Sequence, residues 1–398
     1  MVSVRCSETE CPKMTGKDRI LATLAGNRAD RVPFVPNIWQ WYYVNEFKGT
    51  LPEPVKRCQN PIDVLRALGA DLFSKFEGKV SAQTYRDCEY TVETAGDDLG
   101  RARLWSSFTW FEGRSLKHER IGTPYGTLSH TWEYQRETGA PFEREHWWKD
   151  WSEYAAIRYW MEHTDTRVDP ALLRQNLDLI GDDGTILLQL LETPLKKFHW
   201  LAGQEQATYF ISDHPQAMRD LARVYEQKSL EYLEQVVDLP DVYVFEVPDN
   251  VDTLFYPPRW FREFCLPILK RQAEMIHARG KYLFVHACGR LKALAPLFVE
   301  AGVDCLEGQA PPPVGDWYLH EAHAVSDKFI VCGGMAAPQQ ELHGANASAE
   351  IDAYVRDTFA SLGDKRRFMF GSSCNTSPLT PYENLIAFRD AAWRYGKL

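Results

Sequence analysis

Eight short apolar runs, each closing on a polar or small residue, do most to restrict what this chain can fold into. They occupy 32–37 (VPFVPN), 71–77 (DLFSKFE), 185–192 (TILLQLLE), 242–246 (VYVFE), 282–288 (YLFVHAC), 303–307 (VDCLE), 328–334 (KFIVCGG) and 367–374 (RFMFGSSC). Between most of them lie stretches of helical periodicity, notably 214–237, 258–280 and 289–302. Strands alternating with amphipathic helices build βαβ units and a parallel sheet, and eight such units fit a (β/α)8 TIM barrel. A doubly wound open sheet is the alternative, but it places a Gly-rich turn after its first strand, and 36–43 (PNIWQWYY) contains no glycine.

The segment 79–176 interrupts this alternation. Around Gly and Asp turns it alternates polar with β-branched or aromatic residues, which predicts an antiparallel meander inserted after strand two, followed by a helix near 149–162. α/β barrels run past about 250 residues as one domain. The expectation is therefore a single barrel domain over 1–398, with 79–176 as an insertion within it.

Composition excludes several classes. Apolar residues at 44% and charged residues at 25% suit a globular chain with a sizeable core. The net charge is −10 and no Lys/Arg stripe stands out, so no nucleic-acid partner is expected. No long uncharged apolar run occurs and the first residues are polar, so neither a membrane span nor a secretion signal is expected and the chain reads as cytoplasmic. Nine cysteines, an odd number without a secretory signal, read as thiols rather than a disulfide framework.

Catalytic groups of such barrels sit at the C-terminal ends of the strands. Here those ends carry Asn37, Glu77, Glu192, Glu246 with Asp249 and Asn250, His286 with Cys288, Glu307, Gly333 and Cys374. Residues i and i+2 of a strand share a face, so the imidazole of His286 and the thiol of Cys288 converge. Cys374 closes the eighth run, and in a closed barrel strands five and eight face one cavity. One His and two Cys are donors that favour Zn²⁺, and three protein ligands leave a fourth position open, as in catalytic zinc. Packing is the competing explanation for any cysteine. It is the reading taken for Cys305 and Cys332, whereas Cys374 lies in the polar loop GSSCNTSP, where a small hydrophobe gains little burial.

The stretches 17–36, 282–317 (YLFVHACGRLKALAPLFVEAGVDCLEGQAPPPVGDW), 328–335 (KFIVCGGM) and 370–393 (FGSSCNTSPLTPYENLIAFRDAAW) together resemble the uroporphyrinogen decarboxylase superfamily. The resemblance implies a (β/α)8 barrel. Within that superfamily a branch of zinc-dependent methyltransferases carries His-x-Cys and a distant Cys, a pattern that falls here on His286, Cys288 and Cys374. Those enzymes move a methyl group between a small molecule and the cobalt of a corrinoid (cobalamin) carried by a separate protein. The resemblance thus implies Zn²⁺, a corrinoid and a corrinoid-protein partner. True decarboxylases carry an Arg-bearing stretch after strand one, because their substrate has many carboxylates. Residues 37–49 (NIWQWYYVNEFKG) contain no arginine, and the resemblance to the methanol and methylamine methyltransferases does not extend to the 79–176 insertion.

On this resemblance Glu307, ending strand six, serves as fourth ligand, as proton donor to a leaving oxygen, or as anchor for His286. Asn37, Glu192 and Asn250 either orient substrate or are hydrogen-bonded structural residues. Trp39, Trp41, Tyr42 and Tyr43 lie just past strand one; if they line the site, a methoxylated ring fits better than methanol. His323 and His343 are read as surface residues. The expected activity is zinc-dependent methyl transfer from an O-methylated small molecule to cob(I)alamin on a partner. The alternatives are transfer from methyl-corrinoid to a thiol acceptor and a non-metal, decarboxylase-like lyase.

Overall fold

The computed structural model describes residues 14–95, 104–105, 108–109, 114–135 and 140–398. All eight runs contain strands: β1 (Phe34–Val35), β2 (Leu72–Ser74), β3 (Gly184–Gln189), β4 (Val244–Val247), β5 (Tyr282–His286), β6 (Cys305–Gln309), β7 (Ile330–Met335) and β8 (Phe368–Ser372). They form one parallel sheet in the order β1-β8-β7-β6-β5-β4-β3-β2, with helices between them, which is the nearly closed (β/α)8 barrel that the alternation predicted. Asp71 ties the two end strands together. Its amide donates to Phe34 O (2.8 Å), and its carboxylate accepts from Phe34 N (2.9 Å) and from Arg19 and Arg31 (2.7 Å each).

Side chains alternate between barrel and helix layer, as strand geometry requires. Val35, Leu187, Val244, Phe284, Cys305, Ile330, Cys332 and Met369 point inward and pack together. The helix Gly16–Ala25, opened by a Thr15 capping box, closes this layer from below with Ile20 and Leu24. Cys305 and Cys332 are core residues, as read from the sequence. Outward-facing Phe245, Val285, Leu306, Val331, Phe368 and Phe370 belong to the larger cluster beneath the helices.

The meander is present too. Ser81–Tyr85 pairs antiparallel with Thr164–Val168, and between them Glu89–Ala95, Arg114–Thr123, Gly126–Gln135 and Ala140–Glu145 form a four-stranded antiparallel sheet. The helix Tyr154–Glu162 follows, entered through a turn capped by Asp150.

Two boundaries differ from the sequence reading. The second run ends as strand at Ser74, leaving Lys75 to Glu77 in the turn beyond. The helix expected over 258–280 is broken into Pro258–Trp260, a π-helical turn Phe261–Cys265 and Leu266–His277. Pro267 explains the break: it lacks the N–H that would continue the ladder, and a π turn absorbs the mismatch. Among the described residues no helix is long and apolar enough to cross a membrane, and Cys58, Cys88, Cys265, Cys288, Cys305, Cys332 and Cys374 are all free.

Candidate functional site

One step above the apolar layer, the same alternation changes the chemistry. Val244, Phe284 and Cys305 are followed two residues later by Glu246, His286 and Glu307, all inward and all buried. Parallel register sets His286 beside Glu307 and Glu246 beside Phe284. One ligand atom from each of Glu246, His286 and Glu307 lies within 4.8 Å of the others. Gln189 on β3 donates to Glu246 Oε2 (2.8 Å), while Glu246 Oε1 is buried without a hydrogen-bond partner.

Above this layer sit the sulfurs. The ligand atoms of His286, Cys288 and Cys374 also lie within 4.8 Å of one another, and Cys374 Sγ is 3.5 Å from His286 Nε2. Cys374 has φ 114°, a left-handed conformation that costs a residue with a Cβ roughly 1–3 kcal/mol and is tolerated where the surroundings enforce it. Here they do. Asn37 Nδ2 donates to Cys374 O (2.8 Å), Thr376 N to Asn37 O (2.8 Å), and Ser373 Oγ to Gln309 O (3.0 Å).

Space for the imidazole comes from Gly308. It has φ +86° beside a β-bulge in β6, and a Cβ there would lie 2.8 Å from His286 Cε1. On its other side His286 Nδ1 makes a short hydrogen bond to Glu307 Oε2. That contact leaves Nε2 facing Cys374.

The electrostatics follow from these contacts. The hydrogen bond from Cys288 pulls the Cys374 thiol well below its usual range against the cost of burial, with His286 adding to the effect. The same bond, together with burial, pushes Cys288 up. Burial would raise Glu307, but Lys75 and His286 hold it down. Burial, reinforced by the neighbouring Glu307, pushes Glu246 up. The layer therefore contains one carboxylate held ionised and one carboxyl that keeps its proton more readily.

Lys75 escaped the sequence reading. Its Nζ lies 3.2 Å from Glu307 Oε2 and 3.4 Å from His286 Nδ1. The structure places it by alternation: Phe73 packs against the inward layer, and the residue two further on shares its side. Glu77, singled out as a strand end, instead bonds Ser74 within the turn, and burial raises it to about 7.

The remaining candidates are dispersed. Asn37 pins the Cys374 loop. Trp39 packs on Phe76 (centroids 4.7 Å apart) and lines a cavity with Asn37, Lys75 and Glu307. Trp41 and Tyr42 do not line it: they are buried, with Trp41 Nε1 donating to Thr380 O (2.8 Å) and Tyr42 OH to Cys58 O (3.0 Å). Glu192 pairs with Lys197 (3.5 Å). Asn250 is exposed with φ 50°, whereas its neighbour Asp249 is buried and accepts from Thr193 N and Oγ1 (2.8 and 2.5 Å). His343 is exposed as expected, but His323 is half-buried, with Nε2 lacking a partner.

Comparison with known proteins agrees with the barrel. The sequence profile described as Uroporphyrinogen decarboxylase (URO-D) matches residues 182–395, which include β3 to β8, His286, Cys288, Glu307 and Cys374. The chain belongs to the uroporphyrinogen decarboxylase family. A solved structure, a methyltransferase from Methanosarcina mazei, is similar with a TM-score of 0.57 and 15% identity, covering 95% of this chain and 98% of that one. At that identity the likeness concerns the fold. No curated protein matches the chain. Family membership places the barrel; the chemistry has to be argued from the residues inside it.

Proposed function

We propose that this uroporphyrinogen decarboxylase family member is a zinc-dependent methyltransferase of a corrinoid system. It takes a methyl group from an O-methylated small molecule and passes it to cob(I)alamin on a partner protein, in the cytoplasm. The observation that carries this reading is the convergence of His286, Cys288 and Cys374, one nitrogen and two sulfurs within 4.8 Å, at the C-terminal end of the barrel. The similar fold of a methyltransferase supports it.

The donor set fits zinc. Metal ligation needs a deprotonated thiol and an imidazole lone pair. Cys374 is already drawn toward thiolate, and Glu307 occupies the Nδ1 side of His286, the carboxylate–histidine arrangement that orients a metal-ligating imidazole. Zinc held by His286, Cys288 and Cys374 would supply Lewis-acid chemistry at this end of the barrel.

The chain's own residues do the rest. Glu307 anchors His286 through its Nδ1. Burial raises Glu246, and its unpartnered Oε1 is the atom placed to hand a proton to the oxygen left behind when the methyl departs. Trp39 packs on Phe76 beside Lys75 and Glu307, which places an aromatic ring next to the carboxylate layer. Decarboxylation of a porphyrinogen does not fit: residues 37–49 provide no arginine, and Lys75 is already engaged by Glu307. On this reading the chain is one barrel domain, with residues 79–176 as an insertion within it.

The test mixes zinc-loaded protein, cob(I)alamin and a panel of methyl ethers and thioethers, following methylcobalamin by absorbance. Turnover should vanish on chelation while the circular dichroism stays unchanged, return with zinc, and be absent in His286→Ala. If no donor yields methylcobalamin while the metal is bound, the methyltransferase reading falls.

A further inference from the structure

We propose that Lys75 is a positioning residue for the metal centre: acting through Glu307, it fixes the His286 imidazole with Nδ1 toward the carboxylate and Nε2 toward Cys374. This rests on the proposed ligand set.

Lys75 is placed by strand alternation. Phe73 on β2 packs edge-on against Phe284 in the apolar layer (5.7 Å), and Lys75, two residues later and just past the strand, enters the layer above. There its ammonium reaches Glu307 Oε2 (3.2 Å) and lies 3.4 Å from His286 Nδ1. The side chains of Lys75 and Glu307 are only 12% and 10% exposed.

Stability is a poor explanation for such a pair. Removing an ammonium and a carboxylate from water costs several kcal/mol each, and well-packed apolar residues of similar volume usually stabilise a core as well or better. A device that fixes orientation is the better account. Lys75 and the Nδ1–H of His286 are both donors, and Glu307 Oε2 accepts from both, so the ammonium and the imidazole lock one carboxylate oxygen between them. With that lock, Nδ1 stays toward the carboxylate and Nε2 stays toward Cys374. Without Glu307, the imidazole loses the partner on its Nδ1 side and the ammonium no longer acts on it through the carboxylate. Without Lys75, the carboxylate loses the partner that holds it against β5.

The arrangement makes Lys75 and Glu307 one unit, and this is testable by metal binding alone, with no methyl transfer measured. Zinc affinity is read by competition with a chromophoric chelator, and cobalt-substituted protein reports ligand geometry through its visible and thiolate charge-transfer bands. Lys75→Met should bind zinc about 10- to 100-fold more weakly, the usual loss when a group behind a metal ligand is removed. Lys75→Arg should recover much of that loss. Glu307→Gln should bind weakly, and adding Lys75→Met to it should cost little or nothing more, because the two act in series. Altered cobalt bands in folded Lys75→Met, monitored by circular dichroism, would mark a displaced imidazole. Lys75→Gln serves if Lys75→Met does not fold. Unchanged zinc affinity and cobalt bands in a folded Lys75 variant overturn the proposal, as does additivity of the two substitutions. If the unaltered protein binds neither zinc nor cobalt, it is the ligand set that fails, a different result from the failure of Lys75.

Discussion

The interior of this barrel has two storeys built by the same strands. In the lower one, Val244, Phe284, Cys305 and Ile330 pack in one cluster with Ile20 and Leu24, with almost no exposure. In the upper one, two residues along, Glu246, His286 and Glu307 are equally buried but bring charge and hydrogen-bonding atoms into the same narrow space. The backbone hardly distinguishes the two, since register and alternation carry straight through. Their roles differ, however. The lower storey is filled, whereas the upper is held in one arrangement by ion pairs, a bulge at Gly308 and a left-handed Cys374. Stability resides below and strain above, so substitutions in the two storeys should separate folding from metal binding.

The largest effect belongs to the lower storey. Phe284→Ala should destabilise the protein by about 3–5 kcal/mol in denaturant unfolding, the cost of an aromatic-sized cavity in a core. Its folded fraction should still take up zinc. His286→Ala should show the reverse, with metal lost and less stability lost.

A smaller effect tests the upper rim through pH. Burial raises Glu77 to about 7 from an ordinary 4.5, so the folded protein keeps a proton that the unfolded chain releases. Stability from this group is full below about 4.5 and falls as pH rises to about 7, by something of order 3 kcal/mol. Glu77→Gln should flatten unfolding free energy across that window. An unchanged slope would remove Glu77 as its cause.

The sequence made the lower storey legible because apolar runs at regular intervals are a local signal. The pair His286 and Cys288 was legible for a similar reason, two residues on one strand path. Cys374 was separable from Cys305 and Cys332 by its polar loop alone. Lys75 was not read, since a lysine in an apolar run looks like a surface residue, and only the register of β2, β5 and β6 brings it to Glu307. Trp41 and Tyr42 misled for the opposite reason: the helix Trp39–Lys48 turns them into packing and leaves Trp39 at the cavity.

Two smaller substitutions sharpen the contrast. Gly308→Ala should cost about 1–2 kcal/mol, combining a strained φ with a contact to His286 Cε1, and should weaken metal binding as the imidazole is displaced. Cys374→Gly should do something unusual for a site residue. By relieving the left-handed strain it should raise stability by up to about 1 kcal/mol while weakening zinc binding, which differential unfolding and zinc titration would separate.

The central claim is that His286, Cys288 and Cys374 hold one zinc ion. X-ray absorption at the zinc edge on protein loaded with one equivalent tests it most directly. The account predicts two sulfur neighbours at about 2.3 Å and one imidazole nitrogen at about 2.0–2.1 Å, with one sulfur lost in Cys374→Ser. A shell of oxygen and nitrogen alone, or a spectrum unaltered by Cys374→Ser, would contradict it.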